Sequence, residues 1–444
     1  MLFYLYSMLL DLSSIHKVHF IGIGGIGVST VARLFLSQGK KVSGSDCNVD
    51  SPVVKELKKL GAKIYHGHQA SQVPTDADLV VHTTAIGSKN PEWTEAKRRG
   101  IPTLAYPEML GQLTAGKYTI AVAGTHGKTT TTAMLADILI AGKLDPTVIV
   151  GSLLKPKNKN TPLTNLIIGR SLFFIVEACE YKRAFLNLTP TILVITNIDN
   201  DHLDYYRDLA DIQNAFAELA GKIVSTGALI CDVNDPRLAP VIQAVRCRVL
   251  DYRQFDKVAN KLSLQVIGAY NRLNAAAALA VAKVLRISPS TSLGALNKFE
   301  GTWRRLEYLG RTCQGALIYD DYGHHPTAIR ATLAAIRREL APQRLIVVFQ
   351  PHLYSRTKLL FKEFAESFGD ADEVLILPIY AAREPVDKTI SSRRLASAIP
   401  QAIYVPNIAA AAKRLAQTTG PEDLILTLGA GDVFVLGEKL RYNP

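Results

Sequence analysis

The stretch that decides the fold reads Tyr118-Thr-Ile-Ala-Val-Ala-Gly-Thr-His-Gly-Lys-Thr-Thr-Thr-Thr132. An apolar run ends in a turn between two glycines and passes into the helix-prone segment 133–141, which predicts a strand, a phosphate-binding loop and a helix. Gly124 and Gly127 let the backbone turn its N–H groups towards an anion, and the helix adds the positive end of its dipole. The stretch therefore predicts that a nucleoside triphosphate binds here.

Two side chains of this loop carry the predicted chemistry. Lys128 can reach the β- and γ-phosphates, and the hydroxyl of Thr129 can hold Mg²⁺. The loop is tighter than the usual G-x-x-x-x-G-K-[ST], because Val122 stands five residues before Gly127. An ordinary strand-to-helix turn with a chance lysine is the alternative interpretation. The predicted nucleotide-binding residues of the loop are Gly124, Thr125, His126, Gly127, Lys128, Thr129 and Thr130.

Length and composition predict a soluble protein of several domains. The 444 residues are 48% hydrophobic and 20% charged, and a chain of this length suggests about three domains. No apolar run approaches the roughly 20 residues that a membrane span needs. The apolar segment 1–10 has no basic residue before it and no evident cleavage site, which argues against a signal peptide. Met8 remains an alternative to Met1 as the start.

Cysteine and charge patterns exclude further classes of protein. The five cysteines lack a C-x-x-C pair or a matching histidine spacing, so we expect neither structural zinc nor a disulfide framework, and we expect a reducing cytoplasm. The net charge of +12 is dispersed, and no nucleic-acid-binding signature accompanies it. Anionic small substrates account for this charge as well as a merely solubilising surface does.

A second glycine turn lies near the amino terminus. Gly22, Gly24 and Gly27 form G-x-G-x-x-G between a predicted strand and a predicted helix, and Asp46 follows 19 residues after the last glycine. An acid at this distance meets a ribose in dinucleotide-binding folds. Other nucleotide-like diphosphates use the same turn, so the pattern alone leaves the ligand open.

Polar residues follow two predicted strands of the middle segment. Glu177 comes directly after an apolar run, which suits a metal-binding carboxylate at the edge of a parallel sheet. His202 lies between Asp201 and Asp204, and it is either a ligand or base, or part of a helix start with acidic caps. Further along, Asn274 either caps an alanine-rich helix or meets a base or ribose.

The last third of the chain repeats this pattern. The adjacent Arg304 and Arg305 can clamp phosphate, and an exposed charge pair is the alternative. Strands alternate with helices throughout, which predicts parallel sheets. The predicted fold class is α/β with three consecutive α/β domains: a Rossmann-like N-terminal domain (1–114), a central P-loop ATPase-type domain (115–299) and a Rossmann-like C-terminal domain (300–444).

Four motifs together resemble the Mur ligases, in order and across all three predicted domains. They are Gly-Ile-Gly-Gly-Ile-Gly at 22–27, Gly-Thr-His-Gly-Lys-Thr-Thr at 124–130, Asp-Asp-Tyr-Gly-His-His-Pro at 320–326 and Gln-Pro-His-Leu-Tyr-Ser-Arg-Thr at 350–357. The resemblance implies ATP-dependent joining of L-alanine to the lactyl carboxylate of UDP-N-acetylmuramic acid, in cytoplasmic peptidoglycan synthesis. It implies ATP and Mg²⁺ as cofactors, and a monomer or weak homodimer.

The same resemblance implies roles for individual residues. Lys128 and Thr129 would hold ATP and Mg²⁺, while Glu177 and His202 would bind a second metal ion, so that Lys128, Glu177 and His202 form the implied catalytic set. The implied nucleotide contacts are Asn274, Arg305, Asp321 and Tyr322. The implied contacts of the alanine carboxylate are His352 and Arg356, and those of the UDP-sugar are Gly22, Gly24, Gly27 and Asp46.

Departures from the family pattern leave alternatives open. Cys179 and Lys182 stand where the family commonly has acids, Tyr270 stands where it commonly has histidine, and the span 251–268 is short. A nicotinamide-dependent oxidoreductase would use the first glycine turn but leave the loop at 124–130 unexplained. A motor or switch NTPase would use that loop but leave the first domain without a purpose. Within the family, a ligase that accepts a tripeptide is the alternative.

Overall fold

The structure is a computed structural model that describes residues 9–155, 163–382 and 384–442. The choice between Met1 and Met8 as the start therefore concerns residues outside the described part. The chain divides into two compact units. The first unit comprises Met1–Gly124, Ile138–Ile198 and Ala210–Asp251, and the second comprises Thr125–Asp137, Asp199–Leu209 and Tyr252–Pro444.

Strands and helices alternate along most of the described chain. The strands are β1 (Lys17–Ile21), β2 (Lys41–Asp46), β3 (Lys63–His66), β4 (Leu79–His82), β5 (Thr103–Ala105), β6 (Tyr118–Ala123), β7 (Thr147–Leu154), β8 (Thr164–Ile167), β9 (Phe173–Glu177), β10 (Ile192–Ile195), β11 (Ala228–Cys231), β12 (Arg248–Asp251), β13 (Glu307–Arg311), β14 (Leu317–Asp321), β15 (Arg344–Phe349), β16 (Glu373–Ile376), β17 (Ala402–Tyr404) and β18 (Asp423–Leu428).

The helices fill most of the connections between these strands. They are α1 (Ile26–Ser37), α2 (Pro52–Lys59), α3 (Pro91–Arg98), α4 (Tyr106–Thr114), α5 (Lys128–Ala141), α6 (Leu209–Ala220), α7 (Ala239–Gln243), α8 (Asp256–Ala259), α9 (Ala269–Val284), α10 (Pro289–Asn297), α11 (Pro326–Glu339), α12 (Tyr354–Leu359), α13 (Phe361–Ala365), α14 (Ser392–Ser397), α15 (Ile408–Thr418) and α16 (Phe434–Leu440). Within the described part of the chain, none of these helices has the length and apolar character that crossing a membrane requires.

The strands of the described residues form three sheets. The first unit holds the parallel sheet β3-β2-β1-β4-β5 and the sheet β12-β11-β10-β6-β9-β7-β8, in which β7 and β8 pair antiparallel. The second unit holds the sheet β13-β14-β18-β15-β16-β17, in which β13 pairs antiparallel with β14. The predicted α/β class with three consecutive sheets is confirmed, whereas the domain bounds 1–114, 115–299 and 300–444 stay a prediction.

Burial on both faces explains why the central strands are so apolar. In β6, all four residues of segment 120–123 are fully buried, and β9 and β10 flank this strand in parallel. In β15, alternate residues contact different clusters: Val347 lies in one core of the second unit and Val348 in another. Parallel sheets covered by helices on both faces require such continuous apolar strands.

A buried carboxylate ties together several elements of the first sheet. Glu92, on α3, lies 2.6 Å from His19 Nε2 and 2.8 Å from His68 Nδ1, and its Oε1 accepts the hydroxyl of Ser45 at 2.7 Å. Burial alone would raise the pKa of Glu92, but the three polar neighbours outweigh it and lower the pKa overall. A buried charge with this many partners fixes α3 against β1 and β2.

A buried arginine connects several segments of the second unit. Arg304 Nε donates to Asp320 Oδ2 at 2.7 Å, and the same guanidinium donates to the carbonyls of Gly429 and Gly431. The side chains of Arg304 and Asp320 are 3% and 1% exposed, and the guanidinium lies over the ring of Phe434. Arg304 is therefore neither a phosphate clamp nor part of an exposed charge pair, because its donors are already used inside the fold.

Replacing this arginine should destabilise the protein strongly. In Arg304→Met the carboxylate of Asp320 stays buried without its cation, which typically costs about 3–5 kcal/mol. Burial already raises the pKa of Asp320 to about 6. Since a protonated carboxyl carries no charge, the loss should shrink as the pH falls below that value. Urea unfolding at pH 5 and pH 8 measures both effects.

Arg338→Met is the matched control, because Arg338 is an exposed arginine of α11 in the same unit. Its free energy of unfolding should change by no more than about 0.5 kcal/mol. Equal losses in the two variants would show that the buried pair does not stabilise the second unit.

Candidate active site

The loop after β6 has a backbone that only glycine accommodates. Gly124 has φ +129°, and a Cβ atom there would lie 2.1 Å from Thr196 Oγ1. Gly127 has φ +84°, and a Cβ atom there would lie 2.4 Å from Asn274 Oδ1. Positive φ angles and missing space are what a close backbone cradle for an anion requires, so the loop fits a nucleoside triphosphate.

Loop and helix are connected by short polar contacts. Lys128 Nζ donates to the carbonyl of Thr125 at 3.1 Å, and α5 begins at Lys128 itself. The hydroxyl of Thr125 accepts the N–H of Asp199 at 2.8 Å. Thr129, one residue into the helix, is 3% exposed. The strand, loop and helix predicted from the sequence are thus present, with the lysine and threonine at the helix N-terminus.

Arg305 joins this loop from elsewhere in the second unit. Its Nη2 donates to Thr129 Oγ1 at 3.3 Å, and its guanidinium lies 5.1 Å from the ring centre of Tyr322. Its Nε is buried and has no hydrogen-bond partner among the residues that the structure describes. A half-buried arginine with an unused Nε donor beside a phosphate-type loop suits an anionic ligand. Arg305 therefore differs from its neighbour Arg304, whose donors are engaged within the fold.

The other residues expected at the nucleotide also lie in the second unit. Asp321 accepts the N–H groups of Leu306 and Gly323, both at 2.7 Å, and burial raises the pKa of its carboxyl. Asn274 Nδ2 donates to Asn271 Oδ1 at 3.1 Å. Helix α9 begins at Ala269, earlier than the sequence predicted, so Asn274 lies inside the helix and does not cap it.

A second group of polar side chains surrounds Arg356. Its Nη1 donates to His352 Nδ1 at 3.2 Å, and its Nη2 lies 3.6 Å from Asp201 Oδ1. The rings of His352 and His324 are 5.8 Å apart. Burial and then the charge of Arg356 lower the pKa of His352 to about 4, so this ring is neutral at pH 7 and can accept from the guanidinium.

Sequence reasoning gave no role to Asp201 or His324 in this group. Although burial raises the pKa of Asp201, nearby His202, His324 and Arg356 lower it overall, so the carboxylate is ionised. Burial, followed by the charge of Arg356, lowers the pKa of His324 well below its usual value. Both residues follow predicted strands, which was the available signal, but only the folded chain brings them to Arg356.

The two remaining residues of the implied catalytic set are described within their own units. In the first unit, Glu177 ends β9 opposite Val122 of β6, and its Oε2 accepts the N–H of Gly151 at 2.8 Å. In the second unit, His202 has φ +54° and lies in a turn ahead of α6. His202 is therefore not a helix-start residue.

The amino-terminal glycine turn has the expected strand–turn–helix context. Asp46, at the end of β2, accepts the N–H of Gly24 at 2.8 Å and so braces the turn. A Cβ atom at Gly22 would lie 2.5 Å from the side chain of Thr83. A Cβ atom at Gly27 would lie 2.5 Å from the ring of Tyr106. The contacts of Asp46 and Gly27 within the fold give both residues a structural role besides any contact with a ligand.

Comparison with protein families matches three consecutive models to this chain. They are the Mur ligase family catalytic domain over residues 17–118, the Mur ligase middle domain over residues 122–260, and the Mur ligase glutamate ligase domain over residues 304–431. The chain belongs to the Mur ligase family. The resemblance that the four motifs suggested is thereby confirmed.

Individual Mur ligases are similar over almost the whole length. The UDP-N-acetylmuramate–L-alanine ligase of Clostridium kluyveri is 43% identical, covering 95% of this chain and 97% of that protein. The ligase of the same name from Desulforapulum autotrophicum is 40% identical, covering 96% and 98%. Among solved structures, the UDP-N-acetylmuramate–alanine ligase MurC of Thermotoga maritima has a TM-score of 0.77 at 26% identity, covering 96% and 98%.

The positions that depart from the usual Mur ligase pattern have distinct surroundings. Cys179 is exposed, and Lys182 has φ +52° within the turn Tyr181–Asn187. Tyr270 packs against a core cluster of the second unit, and burial raises the pKa of its hydroxyl well above its usual value. The ring of Tyr270 therefore packs against the core at a position where the family commonly has the more polar histidine.

Replacing Gly127 by alanine should abolish nucleotide binding. The substitution combines a strained φ with a clash against Asn274, so the loop must move away from its cradle geometry. A titration with a fluorescent ATP analogue measures the effect. Gly61→Ala is the control, because Gly61 has φ +97° but open space around its Cβ position. Normal ATP affinity in Gly127→Ala would mean that the loop is not the nucleotide site.

Proposed function

We propose that this Mur ligase joins L-alanine to the lactyl carboxylate of UDP-N-acetylmuramic acid at the expense of ATP. The observation that carries the proposal is the match, over 95% or more of the chain, to ligases named for this reaction. The glycine cradle of the phosphate loop supports it as well. Because the reaction consumes ATP and a nucleotide sugar, we expect the enzyme to work in the cytoplasm. The expectation of a monomer or weak homodimer stays a prediction.

The chemistry requires activation of an unreactive acid. A carboxylate is a poor electrophile, so one of its oxygens first attacks the γ-phosphorus of ATP, ADP leaves and an acyl phosphate forms. The alanine nitrogen then attacks the acyl carbon, phosphate leaves with the C–O electron pair, and the nitrogen loses a proton to give the amide. Positioning and charge neutralisation account for most of the catalysis in such phosphoryl transfers.

In this proposal, residues of the phosphate loop manage the charge of the phosphates. Lys128, at the N-terminus of α5, neutralises negative charge on the β- and γ-phosphates, and Arg305 adds a second cation beside Thr129. Thr129, Glu177 and His202 would each be a ligand of Mg²⁺, and the bound ions would supply further positive charge to the phosphates. Asn274, Asp321 and Tyr322 shape the nucleotide pocket.

Arg356 is the proposed anchor for the amino acid. A guanidinium fork matches the two oxygens of a carboxylate and fixes its orientation. The contact from Arg356 to His352, at 3.2 Å, and the ion pair with Asp201, at 3.6 Å, hold the fork in place before the substrate arrives. ATP and the UDP-sugar are both anionic, which agrees with the positive net charge of the chain.

A ligase that accepts a tripeptide is the second candidate. The murein peptide ligase of Psychrobacter arcticus has a TM-score of 0.70 at 24% identity, covering 96% of this chain and 98% of that one, which supports the shared fold alone. In either case, we propose that the UDP-sugar binds at the amino-terminal glycine turn. Its proposed contacts are Gly22, Gly24, Gly27 and Asp46.

Phosphate release separates these candidates. With ATP and UDP-N-acetylmuramic acid present, L-alanine should support turnover far better than the tripeptide, and omission of the UDP-sugar should stop it.

Lys128→Ala should reduce turnover to background with an unchanged circular dichroism spectrum, because the developing phosphate charge loses its cation. Lys55→Ala, at an exposed position of α2, is the control. Faster turnover with the tripeptide would reassign the acceptor, and near-normal turnover of Lys128→Ala would remove this lysine from the mechanism.

Arg356→Ala should impair alanine binding selectively. Loss of a charged hydrogen bond costs about 1.5–3 kcal/mol, which corresponds to roughly ten- to more than a hundredfold in binding. The KM for L-alanine should rise by that factor, while the KM values for ATP and the UDP-sugar stay nearly unchanged. Arg338→Ala provides the matched exposed arginine. An equal rise in all three KM values would identify Arg356 as a structural residue.

A further inference from the structure

Three side chains outside the proposed magnesium ligands come together in the second unit. His126 belongs to the phosphate loop, Asp199 follows β10 along the chain, and His325 immediately precedes α11. One potential ligand atom from each lies within 4.8 Å of the others. His126 Nε2 is 3.7 Å from Asp199 Oδ2, and the two imidazole rings are 5.8 Å apart.

His325 supplies an independent sign that this group has a ligand. The residue is 7% exposed, and its buried Nε2 has no hydrogen-bond partner within the described part of the chain. Buried polar atoms are nearly always paired, so an orphaned ring nitrogen needs an explanation. Its other nitrogen, Nδ1, accepts the N–H of Thr327 at 3.3 Å and caps α11. The fold thus uses Nδ1 of this ring and leaves Nε2 unused.

We propose that His126, Asp199 and His325 form a binding site for a divalent transition-metal ion of the Zn²⁺ type. Two imidazole nitrogens and one carboxylate oxygen are a common ligand set for zinc, with the remaining position open to water or substrate. Ligand atoms around tetrahedral Zn²⁺ lie about 3.3 Å apart, given bonds of roughly 2.0–2.1 Å. The three ligand atoms lie within 4.8 Å of one another, so binding the ion requires them to move closer together.

Two imidazole ligands distinguish this site from the proposed magnesium ligands, among which His202 is the single histidine. Mg²⁺ prefers oxygen ligands and keeps much of its water, whereas imidazole suits zinc, cobalt and nickel. Coordination through Nε2 places the remaining ring proton of His325 on Nδ1, so the ion replaces the 3.3 Å cap bond. That bond is longer than most N–H donor contacts, and its loss is small beside three metal–ligand bonds.

Because His126 belongs to the phosphate loop, a metal ion bound at this site would also hold that loop. An ion held by His126 would tie the loop to the start of α11 through a direct bond. The next step rests on the proposed function. Because His126 lies inside the loop, the fourth ligand of the ion can be a phosphate oxygen of the nucleotide. The sequence alone did not predict this cluster, because the three residues are far apart along the chain and no short motif contains them.

Metal titration of the whole, metal-free protein tests the site without any assay of activity. Calorimetry should detect Zn²⁺ binding, and Co²⁺ should give the visible absorption of a low-symmetry, nitrogen-ligated ion. A large excess of Mg²⁺ should not displace Zn²⁺. Displacement by Mg²⁺, or no Zn²⁺ binding at all, would overturn the proposal, and neither result would bear on the ligase reaction.

Two variants and one control locate the ion. His325→Asn removes the ring nitrogen but keeps a side-chain oxygen that can cap α11, and Asp199→Asn keeps the shape while removing the charge. Each should weaken Zn²⁺ binding by at least about 100-fold, since even groups that only support ligands are worth roughly 10–100-fold. His66→Asn, at an exposed histidine of β3, should bind as the unmodified protein does. Unchanged binding in His325→Asn, with a normal circular dichroism spectrum, would overturn the assignment.

Discussion

The candidate site depends on a backbone turn that leaves no room for a side chain. Gly127 brings its Cα so close to Asn274 that a single methyl group would overlap the amide oxygen. Gly124 meets the same limit at Thr196. Because these glycines set the path of the loop, they also set where Lys128 and Thr129 begin α5. The nucleotide-binding chemistry of the chain is thus a consequence of close packing around a few backbone atoms.

Much of the fold was predictable because local patterns determine it. Apolar runs that end in a glycine turn predicted β1 and β6, and apolar runs followed by polar residues predicted β9 and β10. Each of these strands is present in a parallel pairing. The antiparallel edge strands β8 and β13 were not anticipated, since edge strands are short and partly exposed and carry little periodic signal. The start of α9 was missed as well, because the positive φ of Gly268 that begins this helix has no sequence signature of its own.

The limits of sequence reasoning are clearest at adjacent arginines. Arg304 and Arg305 have the same chemistry and neighbouring positions, yet one is locked to Asp320 and two carbonyls while the other lies beside Thr129. No pattern separates them, since the difference lies in which residues the fold brings near. Asp201 and His324 illustrate the same point at Arg356. The motifs identified the family and the region of the site. The tertiary contacts determine which residues are structural and which lie beside the phosphate loop.

The contact between Gly27 and Tyr106 has a consequence for how Mur ligases vary. The third glycine of the amino-terminal turn is kept small by an aromatic ring at the start of α4, and this constraint is independent of any bound substrate. A bulkier residue at either position alone would produce a clash, and a smaller ring would leave a cavity. Natural substitutions at the two positions are therefore expected to occur in pairs. Such co-variation would record the packing of α1 on α4 and would be independent of the ligand.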